Sequence, residues 1–185
     1  MIVEALKKRR AIRNFLPKEV EREKIEALLE VATYAPNDRL REPWHFYVMQ
    51  GESLKRFEQV ALHYLQERFP TKPNLVESSM KAVTNTPLII VVTSQIVVGD
   101  EGATIDNTFA VSSAIMSMWL MAESLDLGMV WRTRGVGLVH DIALHEFIGA
   151  TEQERLVGTL CIGYPEESIT TEKKRTPFTE KTTWL

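Results

Sequence analysis

Apolar residues recur along this chain with two periods, and the switches between them mark its elements. Ile2, Ala5 and Leu6 fall at helical spacing and are followed by the basic run Lys7 to Arg10. Cations favour a helix C-terminus, so a short first helix ending at that run is predicted. Ile25, Leu28, Leu29 and Ala32 predict a second helix, which Pro36 stops by holding Ala35 away from helical dihedrals. Asn37 to Glu42 then reads as a loop. Phe46 to Met49 reads as a strand ending at Gly51, after which Leu54, Phe57, Ala61 and Leu65 return to helical period until Pro70 and Pro73 interrupt it.

The second half continues the alternation. Leu88 to Thr93, entered through Pro87, is a continuous apolar and β-branched run of the kind buried on both faces of a sheet. From Thr104 to Leu125 the chain predicts a long helix, apolar on most sides through Ile105, Phe109, Ile115, Met116, Trp119 and Leu120, with Gly128 as its C-cap. Met129 to Trp131 predicts a strand, a further helix ends near Gly149, and Leu156 to Ile162 predicts another strand. The end of the chain, from Glu172, is polar with Pro177, Phe178 and Trp184 and no helical period. Aromatics spaced in a polar tail predict that it lies against another surface. No repeat or linker interrupts the pattern, so a single α+β layered domain over 1–185 is expected.

Composition narrows the functional classes. The 185 residues, 44% hydrophobic and 25% charged, match an ordinary compact protein. With 22 Lys and Arg against 25 Asp and Glu the net charge is -3, so no global field draws nucleic acid or anionic lipid, and any anion site must be local. Cys161 is the sole cysteine and lies in an apolar run, which excludes an intramolecular disulfide and points to the core. The N-terminal charges follow the apolar residues, the reverse of a secretory signal, and no run approaches the roughly 18 apolar residues of a membrane span. A cytoplasmic protein without membrane partner is expected.

Common catalytic signatures are missing. No GxxxxGK[ST] or GxGxxG occurs, and the pair Gly135 and Gly137 lacks the third glycine that helix packing requires. His140 and His145 lack the HExxH spacing and read as solvated surface histidines; no metal site is expected. No GxSxG elbow surrounds a serine, and Cys161 has no basic neighbour in sequence. A chain without its own acid, base or nucleophile can take its chemistry from a cofactor, for which the protein supplies position and charge.

The informative run is Arg9, Arg10, Ala11, Ile12, Arg13, Asn14, Phe15. Three guanidiniums within five residues repel one another unless they are solvated or neutralised by an anion, and the planar guanidinium fork suits phosphate. Both a solvated basic turn and a phosphate grip fit these residues. Nucleic-acid binding fits poorly, because no aromatics interleave and no basic face extends the cluster.

The run RRAIRNF resembles the R-R-S-x-R-x-F opening of the nitroreductase family. APNDRLREPWHFYVM is similar to that family's A-P-S-x-x-N-x-Q-P-W-x-F-x-V segment, LDLGMVWRT to the A-x-x-x-G-L-G-x-x-W end of its long helix, and KKRTPFTEKTTWL to its basic, aromatic ending. Four such segments in order cover most of the chain and match the compact members of the family.

The resemblance implies an α+β sandwich with a central mixed, mainly antiparallel sheet, and an obligate homodimer whose C-terminal segments cross onto the partner. It also implies FMN at the dimer interface and NADH or NADPH as co-substrate. Carried over residue by residue, Arg9, Arg10 and Ala11 hold the phosphate and ribityl chain, and Lys173 and Arg175 complete the phosphate site. Arg13 lies by the flavin N1 and O2 edge, where a cation stabilises negative charge. Trp131, Arg132 and Thr133 run along the flavin, while Tyr34, Pro36 and Asp38 approach from the partner chain. No side chain is assigned a catalytic role, since flavin N5 carries the reaction.

The chain departs from the pattern at three positions. Ala11 replaces a hydroxyl residue, Leu40 stands where the family often has Asn, and Glu42 where it has Gln. The reaction implied is ping-pong transfer of hydride to a small acceptor such as a nitroaromatic or quinone. A flavin reductase or NAD(P)H oxidase, and a flavin-binding module with little turnover, are the rival readings.

Overall fold

The run Leu88 to Val92 is wholly buried, and its alternating side chains divide the interior into two cores. A computed structural model describes residues 2–133, 142–167 and 173–185. Its strands β1 (Trp44–Met49), β2 (Leu88–Gln95), β3 (Gly128–Arg132) and β4 (Glu154–Gly163) form one sheet in the order β1-β2-β4-β3. All three neighbouring pairs are antiparallel. Parallel pairing enters through an isolated bridge between Ala11 and Met129. A bulge at Val92/Thr93 shifts the β2–β4 register.

One face of the sheet, with Leu88, Ile90, Val92, Met129, Leu160 and Ile162, packs against helices α2 (Arg22–Thr33) and α5 (Glu101–Ser124). The other face, with Ile89, Val91, Val130 and Cys161, packs against α3 (Glu52–Arg68), α4 (Pro73–Thr84) and α6 (Ile142–Ile148). The resulting helix–sheet–helix sandwich explains why β2 and β4 read as unbroken apolar runs, for each has a hydrophobic layer on both sides. Helix α1 (Ile2–Lys8) buries none of its residues. No described helix is long and apolar enough to cross a membrane.

Local chemistry accounts for the ends of the elements. Asp100 caps α5, its Oδ1 accepting from the Ala103 N–H at 2.9 Å. The residue that turns the chain after α5 is Asp126, at φ 59°, whereas Gly128 is already the first residue of β3. The expected Gly128 cap is therefore corrected. A glycine is required there for another reason: a Cβ on Gly128 would lie 2.7 Å from Ile12 Cβ. Helix α4 is absent from the pattern reading because Pro73, taken as an interruption, is its first residue, where a missing N–H costs nothing. Gly135, Gly137, His140 and Glu172 lie outside the described residues.

A polar cluster ties β1, β2 and β4 together at one end of the sheet. The Glu154 carboxylate accepts from Thr93 Oγ1 at 2.5 Å, from Tyr47 Oη at 2.9 and 3.1 Å, and from the Thr151 N–H at 3.1 Å. The backbone carbonyl of Glu154 lies 3.2 Å from His145 Nε2, which places His145 in a half-buried packing position and not on a solvated surface. Burial alone would raise the Glu154 pKa. The bonds from Thr93, Thr151 and Tyr47, with the charge of His45, outweigh it and hold the carboxyl below its ordinary value. Burial, reinforced by Glu154, pushes the Tyr47 hydroxyl up to about 12.

Glu154→Gln should destabilise the fold by about 1–2 kcal/mol at neutral pH, because the amide offers one acceptor to a ring of donors. A depressed folded pKa contributes stability above the ordinary carboxylate value of about 4.3 and loses it as pH falls through the lower folded value. Urea midpoints of wild type and variant should accordingly stay apart near pH 7 and converge toward pH 3. A gap independent of pH would show that the carboxylate charge is not the source.

Candidate functional site

The turn after α1 is laid along the open edge of β3, and this contact positions the arginine run. The Ile12 N–H donates to the Met129 carbonyl at 3.2 Å. Further on, the Leu16 N–H donates to Tyr164 O at 2.9 Å and the Glu166 N–H to Asn14 O at 3.2 Å, with a bridge between Phe15 and Pro165. Ala11 and Ile12 thus pair with the start of β3, and Asn14 to Leu16 with the segment that follows β4.

Donors engage the carbonyls of the turn one by one. Arg10 folds its Nη1 back onto the carbonyls of Lys7 at 2.6 Å, Lys8 at 2.7 Å and Arg9 at 3.0 Å, so its guanidinium caps α1. Lys173 donates to the same Arg9 carbonyl at 2.6 Å, bringing the C-terminal segment onto the turn. Trp119 of α5 donates its Nε1 hydrogen to the Arg10 carbonyl at 3.2 Å. The Arg9 guanidinium lies over the Trp119 ring, 4.1 Å from its centroid.

These contacts gather Arg9, Arg10, Lys173 and Arg175 in one place. Burial, then the charges of Arg175 and Arg10, lower the Arg9 pKa. Burial, then Arg9, Arg10 and Arg175, lower that of Lys173. Among the described residues no salt bridge reaches Arg9, Lys173 or Arg175. Beside the cluster opens a cavity of about 510 Å³, walled by Ile12, Trp119, Glu123 and Met129. Glu123 Oε2 is buried there without a hydrogen-bond partner. Arg9, Lys173 and Arg175, which no described carboxylate pairs with, lie with Arg10 in a group that fits a dianion such as a phosphate monoester, whose oxygens accept from several donors at once.

The remaining predicted residues are distributed more widely. Arg13 is exposed, with a long 3.4 Å contact from Nη1 to Ala11 O. Ala11 pairs with Met129 through its backbone. Trp131 packs against the α2–α5 core and donates from Nε1 to Val157 O at 3.3 Å, so its indole body is a core component. Gly158 makes room for it, since a Cβ there would lie 1.9 Å from Trp131 Nε1. Arg132 turns to the opposite face, beside the Cys161 thiol, with its Nε buried and unpartnered. Burial pushes that thiol pKa up, as expected for a core cysteine. Thr133, exposed, follows the end of β3.

Tyr34, Pro36 and Asp38 are not brought to the cluster. Helix α2 starts by the end of α5, where Lys24 donates to Leu125 O, and Val31 still lies beside Ser117 and Met121, so Tyr34 at its C-cap falls toward the middle of α5. The strand that follows starts beside Gln95, whose carbonyl accepts from Asn107 Nδ2 early in α5. Asn107 and Trp119 lie roughly 18 Å apart along the helix axis. Tyr34 is 78% and Leu40 is 83% exposed.

The loop that carries Leu40 is strained. Arg39, Leu40 and Glu42 all have φ between 46° and 54°. Asn37 holds them in place, its Oδ1 accepting from the Glu42 N–H at 2.9 Å and its Nδ2 donating to Ala35 O at 3.2 Å. Asp38 pairs with Arg41 at 2.9 Å.

A helix–sheet–helix sandwich with a cation cluster that joins the first turn to the C-terminal segment makes this an α+β protein with a candidate anion site. The family model described as "Nitroreductase family" matches residues 6–164, so the chain belongs to the nitroreductase family. A relative from Bacillus subtilis (strain 168), named "Putative NAD(P)H nitroreductase YfhC", is 31% identical over 96% of this chain and 91% of its own. The crystal structure of a nitroreductase-like family protein from Bacillus cereus superposes with TM-score 0.87 at 30% identity, covering 100% of this chain and 96% of that one. The fold extends to the FMN-dependent nitroreductase NfnB from Mycobacterium smegmatis, solved in complex with NADPH, at TM-score 0.80 and 16% identity over 100% of this chain and 97% of that one.

The Ile12–Gly128 contact supports a prediction. Gly128→Ala should push Ile12, and with it the arginine turn, off the β3 edge, lowering stability by about 1–3 kcal/mol as overpacking does. Faster hydrogen exchange of the Ile12 amide would report the loss; an unchanged rate and midpoint would show that the edge contact does not position the turn.

Proposed function

We propose that this chain is an FMN-dependent oxidoreductase that takes hydride from NADH or NADPH and passes it to a small acceptor such as a nitroaromatic or a quinone. The observation that carries this reading is the convergence of Arg9, Arg10, Lys173 and Arg175, of which Arg9, Lys173 and Arg175 have no salt bridge among the described residues. Bound there, FMN supplies a ring nitrogen, N5, that accepts and returns reducing equivalents.

The protein's part is placement. Arg9, Lys173 and Arg175 grip the phosphate, Arg10 caps the preceding helix so that the turn keeps its shape, and Ala11 contributes backbone groups. Exposed Arg13 reaches the pyrimidine edge and stabilises negative charge there. Trp131, Arg132 and Thr133 approach the flavin with their main chain, because the Trp131 indole is committed to the core. Nicotinamide and acceptor use one open face in turn, which gives ping-pong order.

We infer a homodimer in which the loop from Tyr34 through Pro36 and Asp38 completes the partner's site. Two observations support it. Helix α5 buries one stripe but leaves Phe109 64% exposed and Ile105 exposed beside it. The tail ends in an 87% exposed Trp184. A second reading, a flavin-binding module with little turnover, rests on Ala11 and Leu40, which remove a hydroxyl and an amide from the pattern.

Purified protein should carry a yellow chromophore that is released as FMN, and anaerobic NADH or NADPH should bleach it; a stable yellow colour would select the binding-module reading. Acceptor-dependent turnover without added free flavin separates the enzyme from a flavin reductase. Arg9→Ala should weaken FMN binding about tenfold or more, as expected for a lost charge-assisted bond. Equal affinity in variant and wild type would remove Arg9 from the site. Phe109→Asp should reduce the sedimenting mass from dimer to monomer, and a monomeric wild type would overturn the shared site.

A further inference from the structure

We infer that Trp119 is a positioning residue that sets the phosphate-gripping geometry of the Arg9–Arg10 turn, an inference that rests on the flavin reading above. One side chain makes two different contacts to that turn. The face of its ring carries the Arg9 guanidinium at 4.1 Å, and its Nε1 hydrogen bonds the Arg10 carbonyl at 3.2 Å. Its helix is fixed, because the flanking Met118 and the later Ala122 are fully buried against the sheet.

The turn needs such a hold. Arg10 and Arg175 repel the Arg9 guanidinium, which has no carboxylate partner among the described residues, so an unsupported side chain would swing into solvent. An aromatic face attracts a cation without neutralising it, so the guanidinium edge keeps its N–H groups for an anion. A carboxylate in the same place would fix Arg9 equally well but consume those donors. The indole N–H meanwhile ties down the peptide that joins Arg10 to Ala11, and the cavity beside the cluster is walled by the same ring.

Phosphate geometry can be separated from general packing by comparing FMN with riboflavin, which shares the ring and ribityl chain but lacks the phosphate. Trp119→Leu removes both contacts, whereas Trp119→Phe keeps an aromatic face and loses only the N–H. Titration of the flavin-free protein, followed by quenching of flavin fluorescence, should show the FMN Kd rising about tenfold in Trp119→Leu and about threefold in Trp119→Phe. The riboflavin Kd should stay within about twofold of wild type in both. Should the leucine variant fail to fold, as judged by circular dichroism, the phenylalanine variant carries the comparison alone. Equal weakening of both flavins, or an unaltered FMN Kd, would overturn the inference while leaving the functional reading intact. A wild-type chain that binds neither flavin would defeat that reading and this inference together, and the wild-type titration alone reveals it.

Discussion

The pairing of Ile12 with Met129 is the contact on which the site depends. Without it, β3 would expose a free edge and the arginine run would be a solvated turn. With it, the turn takes a direction set by the sheet that brings Arg9 and the Arg10 carbonyl to Trp119 of α5 and the Arg9 carbonyl to Lys173, while Arg13 stays exposed. Gly128 permits the approach, since no side chain larger than hydrogen fits between β3 and Ile12. A backbone hydrogen bond and one missing Cβ thereby convert three nearby charges into a directional cluster.

That cluster is held against its own electrostatics. Beyond burial, Arg175 and Arg10 lower the proton affinity of Arg9, and Arg9, Arg10 and Arg175 lower that of Lys173; three of the four cations are held by contacts that are not salt bridges. Arg10 binds helix carbonyls, Lys173 binds the Arg9 carbonyl, and Arg9 rests on an indole face. All three are interactions with dipoles or a quadrupole, which hold a cation without neutralising it. Had glutamates done the holding, the turn would be more stable alone and less useful to an anion. The design contrasts with Glu154 at the opposite end of the sheet, where a carboxylate is fully surrounded by donors and serves the fold.

Much of this was legible in the chain's pattern. The apolar run at Leu88 announced a strand buried on both faces, and the helices at Ile25, Leu54 and Thr104 followed from period alone, because burial imposes that spacing. Pro73 misled for a physical reason: proline ends a helix from within but begins one at its first position, and spacing does not distinguish the two. Gly128 misled likewise, since a glycine near a helix end can serve dihedral freedom or close approach, and Asp126 had taken the left-handed position. For the candidate site, charge density and resemblance pointed to the arginine run, of which Arg9 and Arg10 do meet Lys173 and Arg175. The part played by Trp119 was not found, because its indole reads as core in a periodic apolar helix and its contacts join residues 109 positions apart in sequence. Trp131 lies on β3, as its strand pattern predicts, and its ring packs against the core, which a motif carried over by position does not reveal.

The loop after α2 completes the physical picture. Three non-glycine residues in left-handed conformation cost on the order of 1 kcal/mol each, and such strain persists only where surrounding contacts over-determine it. Here Asn37 supplies those contacts by bridging Ala35 and Glu42, and Arg41 adds its pair with Asp38. The same chain leaves Leu40 and Tyr34 exposed, so the strain does not serve its own core. A loop rigidly held and turned outward has low entropy left to lose on contact, which is the condition for completing a site on another surface without weakening it. The cation cluster lies near the far end of α5 from this loop. In the homodimer proposed above, pairing with a copy in the opposite sense would bring the loop of each chain toward the cluster of the other across the face that carries Phe109.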